Sequence, residues 1–391
     1  MSKSNKSIGI LFVILFLVMA GFGIVIPIIP FFIKDLGGNS TVMGLFMASY
    51  SIMQFIFAPL WGRLSDRWGR RPVLLIGLGG YAATFLLFAF AHSLGMLFAI
   101  RIMAGIISSA TLPTAMAYIA DITEESERSR GMGMMGAAMG MGMILGPAIG
   151  GLLGHQSFAL PFLAAGGLAL IAWPFAFIWL PESLVKMKTG VQSIPTRFSM
   201  DIFRHALGIL FILTFALNIT MAMFETTFAF FIADRAGFGP QEMGILFAIM
   251  GVSGVVVQGG LIGRLAKKFG DKKLVIAGLI VATAGLLLIL TAHNMIQLIA
   301  TSVVFNIGVS LIGPSSSSLV SQNAEEGQGV VLGLMQSAGS FGRIIGPIAG
   351  GLLYALNGNL PYLVGAILLS GFIFLAGKRI AGLQNPVAEL I

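Results

Sequence analysis

Gly142-Met143-Ile144-Leu145-Gly146-Pro147-Ala148-Ile149-Gly150-Gly151 recurs, with its glycines and proline in the same places, as Gly342-Arg343-Ile344-Ile345-Gly346-Pro347-Ile348-Ala349-Gly350-Gly351. Other matches keep the same offset of 200 or 201 positions: Gly62-Arg63-Leu64 with Gly263-Arg264-Leu265, Ala91-His92 with Ala292-His293, and Pro113 with Pro314. A constant offset across several matches marks a duplicated unit. The chain therefore reads as two halves of one design.

Each half is hydrophobic. Across all 391 residues, 57% are hydrophobic and 10% charged, against a charged share of about 25% in soluble domains. Apolar runs long enough to cross about 30 Å of hydrocarbon recur from Ile8–Phe32 to Leu360–Ala376. The reading is an all-α integral membrane protein of twelve transmembrane helices in two six-helix halves, residues 1–180 and 205–391. The linker, 181–204, carries Lys186, Lys188, Arg197 and Arg204 with two prolines and is too short for a soluble domain. Ile8–Phe32 exceeds the apolar core of a signal peptide, so it is expected to be a retained first span.

The net charge of +8 is a matter of topology. Of the 23 Lys and Arg, all but Lys34, Arg235 and the intramembrane Arg101 and Arg343 fall on one side, which the positive-inside rule makes cytoplasmic for both termini. No basic run carries interleaved aromatics, so nucleic acid is not an expected partner. There is no cysteine, His92, His155, His205 and His293 are scattered, and no nucleophile–base pair or metal-ligand cluster stands out. No catalytic residue, metal or cofactor is expected, and the chain does not read as an enzyme.

Of 15 Asp and Glu, only Glu225 lies well inside a span. A carboxylate in hydrocarbon is costly and marks function by default, since it can take a proton from one side and release it on the other. Thr214, Asn218 and Met221 share its helical stripe. A second polar face runs through Ser302, Asn306, Ser310, Gly313 and Ser317. Gln336, Ser340 and Arg343 form a third, in which Arg343 either relays charge with the acid or packs beside the Pro347 bend. Arg101 either faces a wet cavity or a partner, or snorkels to the nearby interface. Tyr50, Gln54, Arg101, Asn218, Met221, Phe228, Asn306, Ser310 and Arg343 are the expected substrate-cavity residues.

Gly62-Arg63-Leu64-Ser65-Asp66-Arg67-Trp68-Gly69-Arg70-Arg71, between the second and third spans, resembles the signature loop of the major facilitator superfamily. Leu97-x-x-x-Arg101-x-x-x-Gly105 resembles a second signature, and the Gly146-Pro147-x-x-Gly150-Gly151 run resembles that of its antiporter branch. Pro27-x-x-Pro30 with Leu36-Gly37, and Phe224-Glu225-Thr226, are similar to segments of twelve-span drug:proton antiporters, nearest the quinolone and multidrug efflux pumps of Gram-positive bacteria. The resemblance implies a two-domain fold with the substrate site between the halves. It implies a latch at Gly62, Asp66, Arg67, Arg70 and Arg71, and a leak-sealing bend at Gly142, Gly146, Pro147, Gly150 and Gly151. It implies export of small amphipathic, cationic compounds by a monomer in the plasma membrane, with H+ as coupling ion and Glu225 carrying it. An exporter of a lipid, sugar or single metabolite, and a proton-independent facilitator, remain open alternatives. The second loop departs from the signature, with Lys267 in place of Asp66, so any latch is expected to be asymmetric.

Overall fold

The computed structural model describes residues 3–123, 125–184, 206–323 and 328–379, and among these every regular element is helical. The linker's Lys186, Lys188, Arg197 and Arg204 lie outside the described residues. In the first half the helices are α1 (Lys3–Val25), α2 (Ile29–Asp35), α3 (Ser40–Trp68), α4 (Arg70–Phe88), α5 (Leu94–Ser108), α6 (Thr111–Ile122), α7 (Glu125–Gly154) and α8 (Ala159–Trp179). The second half has α9 (Ala206–Ala236), α10 (Pro240–Val255), α11 (Ile262–Phe269), α12 (Asp271–Ile289), α13 (Met295–Gln322), α14 (Gln328–Leu356) and α15 (Leu360–Arg379).

Among the described residues, ten stretches of helix are long and apolar enough to cross a membrane, and Leu360–Leu375 is a shorter apolar one. α14 spans 29 residues in the remaining place. Large apolar side chains such as Phe90, Ile178, Ile296, Leu356 and Phe374 stand exposed. Such a surface is stable only against lipid, since a soluble monomer exposes only limited contiguous apolar patches.

Three expected spans are interrupted. α1 and α2 make the first, broken around Pro27, whose ring removes a donor from the ladder. α5 and α6 make the fourth, broken just before Pro113. In the eighth, α10 and α11 are joined by a π-helical turn at Val256–Leu261. The equivalent stretch of α3 holds Pro59 instead. Both devices perturb the i→i−4 ladder at corresponding heights, by different means.

The chain divides into two compact units, residues 1–38, 49–194 and 238–248 in one, and 39–48, 195–237 and 249–391 in the other. Each unit thus takes a short segment from the other half of the sequence. Within the first unit α7 lies against the backbone of α1. A Cβ on Gly142 or Gly146 would meet the Ala20 backbone at 2.6 Å, and one on Gly150 would collide with the Ile24 carbonyl. In the second unit Gly342, Gly346 and Gly350 seat α14 on α9 in the same way, against Phe215, Ile219 and Met223. The repeated glycines are therefore points of backbone contact, where association in lipid gains dispersion energy that larger residues would forfeit. The final glycine of each run meets the exchanged segment: Gly151 packs on Gly244, and the Ser40 hydroxyl donates to the Gly351 carbonyl at 3.0 Å.

Candidate functional site: a polar cleft in the second unit and a charged network in the first

Polar side chains on α9 are held by their own helix. Thr214 Oγ1 donates to the Leu210 carbonyl at 2.8 Å, and Asn218 Nδ2 to the Thr214 carbonyl at 2.8 Å. This fixes the Asn218 amide with Oδ1 outward, where it accepts from Arg343 Nη1 at 3.1 Å. Arg343 Nη2 donates to Ser340 Oγ at 3.0 Å on its own helix. Thr214, Asn218, Ser316, Ser317, Gln336 and Arg343 line a cavity of about 320 Å³ between α9, α13 and α14, with Leu217, Leu332 and Met335 as its apolar wall.

Glu225 lies further along α9, about two turns beyond Asn218, and its side chain is exposed although Phe224 and Thr226 beside it are buried. Met221, on the same stripe, is half-buried. The charged group whose field reaches Glu225 is Arg343. The two make no direct ion pair within 4 Å, so each is available to a third group.

Three expected cavity residues of this unit sit elsewhere. Phe228 is fully buried, stacked on Phe224 with ring centroids 4.4 Å apart, and Phe224 in turn meets Phe305 at 4.9 Å. A residue three positions from Glu225 thus lies off the stripe, in the aromatic core around Phe224. Asn306 and Ser310 tie α13 to the eighth span. Asn306 Nδ2 donates to the Met250 carbonyl at 2.7 Å and to Ser253 Oγ at 2.9 Å, and Gln258, within the π-helical turn, donates to Ser310 Oγ at 3.4 Å.

In the first unit Arg101 is 4% exposed, its guanidinium 4.5 Å from the centre of the Tyr50 ring. The Tyr50 hydroxyl is 3.3 Å from Ser108 Oγ. Gly105 permits this packing, because α5 lies against the Tyr50 backbone there. Arg101 and Tyr50 thus form a buried cation–π pair, neither snorkelling nor lining open space. Gln54 is half-buried one turn further along α3.

The signature loop is a network centred on Arg70. It pairs with Asp66 at 2.5 Å and with Asp121 at 3.0 Å, and donates to Ser65 Oγ at 2.7 Å. Asp121 also accepts from Ser183 Oγ at 3.1 Å. Arg71 donates to the Phe177 carbonyl. Arg67 is exposed, and a Cβ on Gly62 would meet nothing within 4 Å.

Two basic residues at the start of α4 oppose the positive end of the helix dipole. Glu182 offsets this. Its carboxylate accepts from the backbone N–H of Arg70 at 2.8 Å and of Arg71 at 3.2 Å, capping orphan donors from beyond the sixth span. Gly69, at φ 109°, opens the way, since a Cβ there would lie 2.8 Å from the Glu182 carboxyl carbon. Sequence reasoning missed Glu182; the available signal was an acid directly after Pro181, at the end of a span whose partner loop is basic.

The second half inverts this arrangement. Asp271 stands at the start of α12, where Arg70 stands in α4, and Gln322 stands where Asp121 does. Asp271 accepts from Ser318 Oγ at 2.7 Å and Gln322 Nε2 at 3.2 Å. An acid at a helix N-terminus is favoured by the dipole itself. The second copy thus needs no counterpart of Glu182, and the two loops are bonded differently.

Two repeated bundles, each seated on glycine runs and carrying polar groups inside apolar spans, make a multi-pass membrane protein. The family model of the Major Facilitator Superfamily matches residues 11–262 and again 210–383, and the chain belongs to that superfamily. It is 31% identical over 378 residues to multidrug resistance protein 1 of Bacillus subtilis, covering 95% of each chain. It is 28% identical to quinolone resistance protein NorA of Staphylococcus aureus, over 94% of this chain and 95% of that one. Among solved structures, the fold matches the nucleoside transporter NupG with a TM-score of 0.75 at 17% identity, over 97% of this chain and 99% of that one. It also matches the human organic anion transporter MFSD10, with a TM-score of 0.69 at 24% identity, over 95% and 99%.

Proposed function

We propose that this protein exports amphipathic organic compounds, cationic ones foremost, in exchange for protons, by alternating access. The observation that carries the reading is Glu225, an exposed carboxyl inside an apolar span, flanked by the polar stripe that leads to Arg343. A carboxyl in hydrocarbon has one economical use there, to bind a proton or a cation in turn. The likeness along nearly the whole chain to proteins named for multidrug and quinolone resistance supports a drug-like substrate. The protein works as a monomer.

Uptake of a lipophilic cation such as ethidium into vesicles carrying the protein tests this. An imposed pH gradient, acid inside, is expected to drive accumulation, and nigericin to abolish it. Uptake that survives collapse of the gradient would identify a proton-independent facilitator.

We further infer residence in the plasma membrane with both termini cytoplasmic, from the one-sided Lys and Arg. Single cysteines are expected to react with an impermeant maleimide on intact cells when placed at Lys34 or Arg235, and not at Arg70 or Lys272. Labelling of all four from outside would refute the orientation.

A further inference from the structure

The cavity beside Arg343 carries more than one charge of information about substrate. Arg343 uses two guanidinium hydrogens, on Asn218 and Ser340, both neutral acceptors. A guanidinium offers five donors, and among the described residues no carboxylate lies within ion-pair distance of this one. On α13, Ser316 lines the same cavity, is 1% exposed, and its hydroxyl has no hydrogen-bond partner. The other wall hydroxyls differ: Thr214 and Ser317 donate back to their own helix carbonyls. A fixed cation thus lines this space with an unspent hydroxyl donor buried in its wall, and Gln336 adds an exposed amide. Charge-assisted donors of this kind complement an oxyanion.

We propose that this cavity is an anion subsite, which receives the carboxylate of an amphipathic substrate while the substrate's cationic end faces Glu225. This rests on the export reading above and narrows its substrate class, from cations in general to zwitterions. Spacing follows from the helix: Glu225 lies about 10 Å along α9 from Asn218, at 1.5 Å per residue. Preferred substrates therefore carry both a cationic and an anionic group on one aromatic or aliphatic body. Arg343 is then a specificity-determining residue, and Asn218 positions it.

Rhodamine 110, which bears a free carboxylate, and its methyl ester rhodamine 123, a pure cation, share one skeleton and form the test. Binding of both to purified protein in nanodiscs is measured by fluorescence anisotropy. Arg343→Gln is expected to weaken rhodamine 110 on the order of tenfold relative to rhodamine 123, the loss typical of a charge-assisted hydrogen bond. Arg343→Lys should restore part of that ratio. Ser316→Ala should lower it several-fold, and carries the test alone if Arg343→Gln does not yield monodisperse protein. An equal change in both dyes would mean that Arg343 only braces α14 against α9, and would overturn the subsite. Free halide is the other source of the same charge. The dye ratio is expected to be the same in chloride and in isethionate; a ratio that vanishes in chloride assigns the site to a free anion and overturns the zwitterion preference. Parent protein that binds rhodamine 123 but not rhodamine 110 refutes the subsite and leaves drug export standing. Parent protein that binds neither counts against both.

Discussion

Vesicles carrying Glu225→Gln are expected to accumulate no lipophilic cation against its gradient, whatever pH difference is imposed. One pH unit supplies about 1.4 kcal/mol per proton, enough for about tenfold accumulation in a one-for-one exchange. The substitution keeps size and hydrogen bonding but fixes the neutral state, so the accumulation ratio should fall from about ten to one. Binding need not fall with it, because the glutamine imitates the protonated carboxyl. For a permanently cationic ligand, affinity in the parent should rise with pH as the carboxyl gives up its proton, and be flat in Glu225→Gln. Proton and cation then compete for one group, and linkage makes the effect reciprocal. A Glu225→Gln protein that still concentrates ethidium at the parent rate would rule this residue out. Asp121, bound to Arg70 and Ser183, is a poor substitute, since its charge is already committed.

The parts of this molecule that could be read from sequence are those where physics leaves few residue choices. Close backbone contact favours glycine, so the two runs ending in Gly150-Gly151 and Gly350-Gly351 announced the repeat, while the helices they meet came from the structure. An acid in hydrocarbon is expensive enough to be noticed alone, which made Glu225 conspicuous. Stripe arithmetic placed Thr214, Asn218 and Met221 with it, and Thr214 and Asn218 do line the cavity with Arg343. The same arithmetic has no means of separating Phe228 from that stripe, because which edge of an apolar helix turns inward depends on what packs there. Here Phe228 stacks on Phe224, while Phe305 packs on Phe224 and Tyr362 on Phe231. Arg101 shows the converse: its cost was legible, but its answer, the Tyr50 ring, comes from another span. The π-helical turn at Val256–Leu261 was invisible, since a shift in hydrogen-bond register leaves only Gly259-Gly260 as a trace. Glu182 went unread for a similar reason: it acts where the end of the sixth span meets the start of the third.

Gly150→Ala is expected to be the most damaging methyl group that can be added to either glycine run. A Cβ there would collide with the Ile24 carbonyl oxygen and lie 2.7 Å from its carbon and 2.9 Å from Ile24 Cα. All three are backbone atoms of α1, so no rotamer relieves the clash and α7 must move away as a body. Overpacking of this kind costs about 1–3 kcal/mol and more when backbone is forced apart. The midpoint of thermal unfolding in detergent should fall by on the order of 5 °C or more, with lower yield from the membrane. Sequence symmetry alone would assign Gly350→Ala the same loss. The structure does not: the nearest atom there is Met223 Cα at 2.8 Å, and the next two, Cβ and Cγ, belong to a flexible side chain. Gly350→Ala should therefore fall between Gly150→Ala and a change at Gly167, in α8, where a Cβ would meet nothing within 4 Å. Gly167→Ala should be neutral or stabilising by up to about 1 kcal/mol, from helix propensity. Ranking the three midpoints decides the matter. Equal losses at Gly150 and Gly350 would mean that the two helix pairs are equally close, and that the difference in their backbone contacts has no energetic weight.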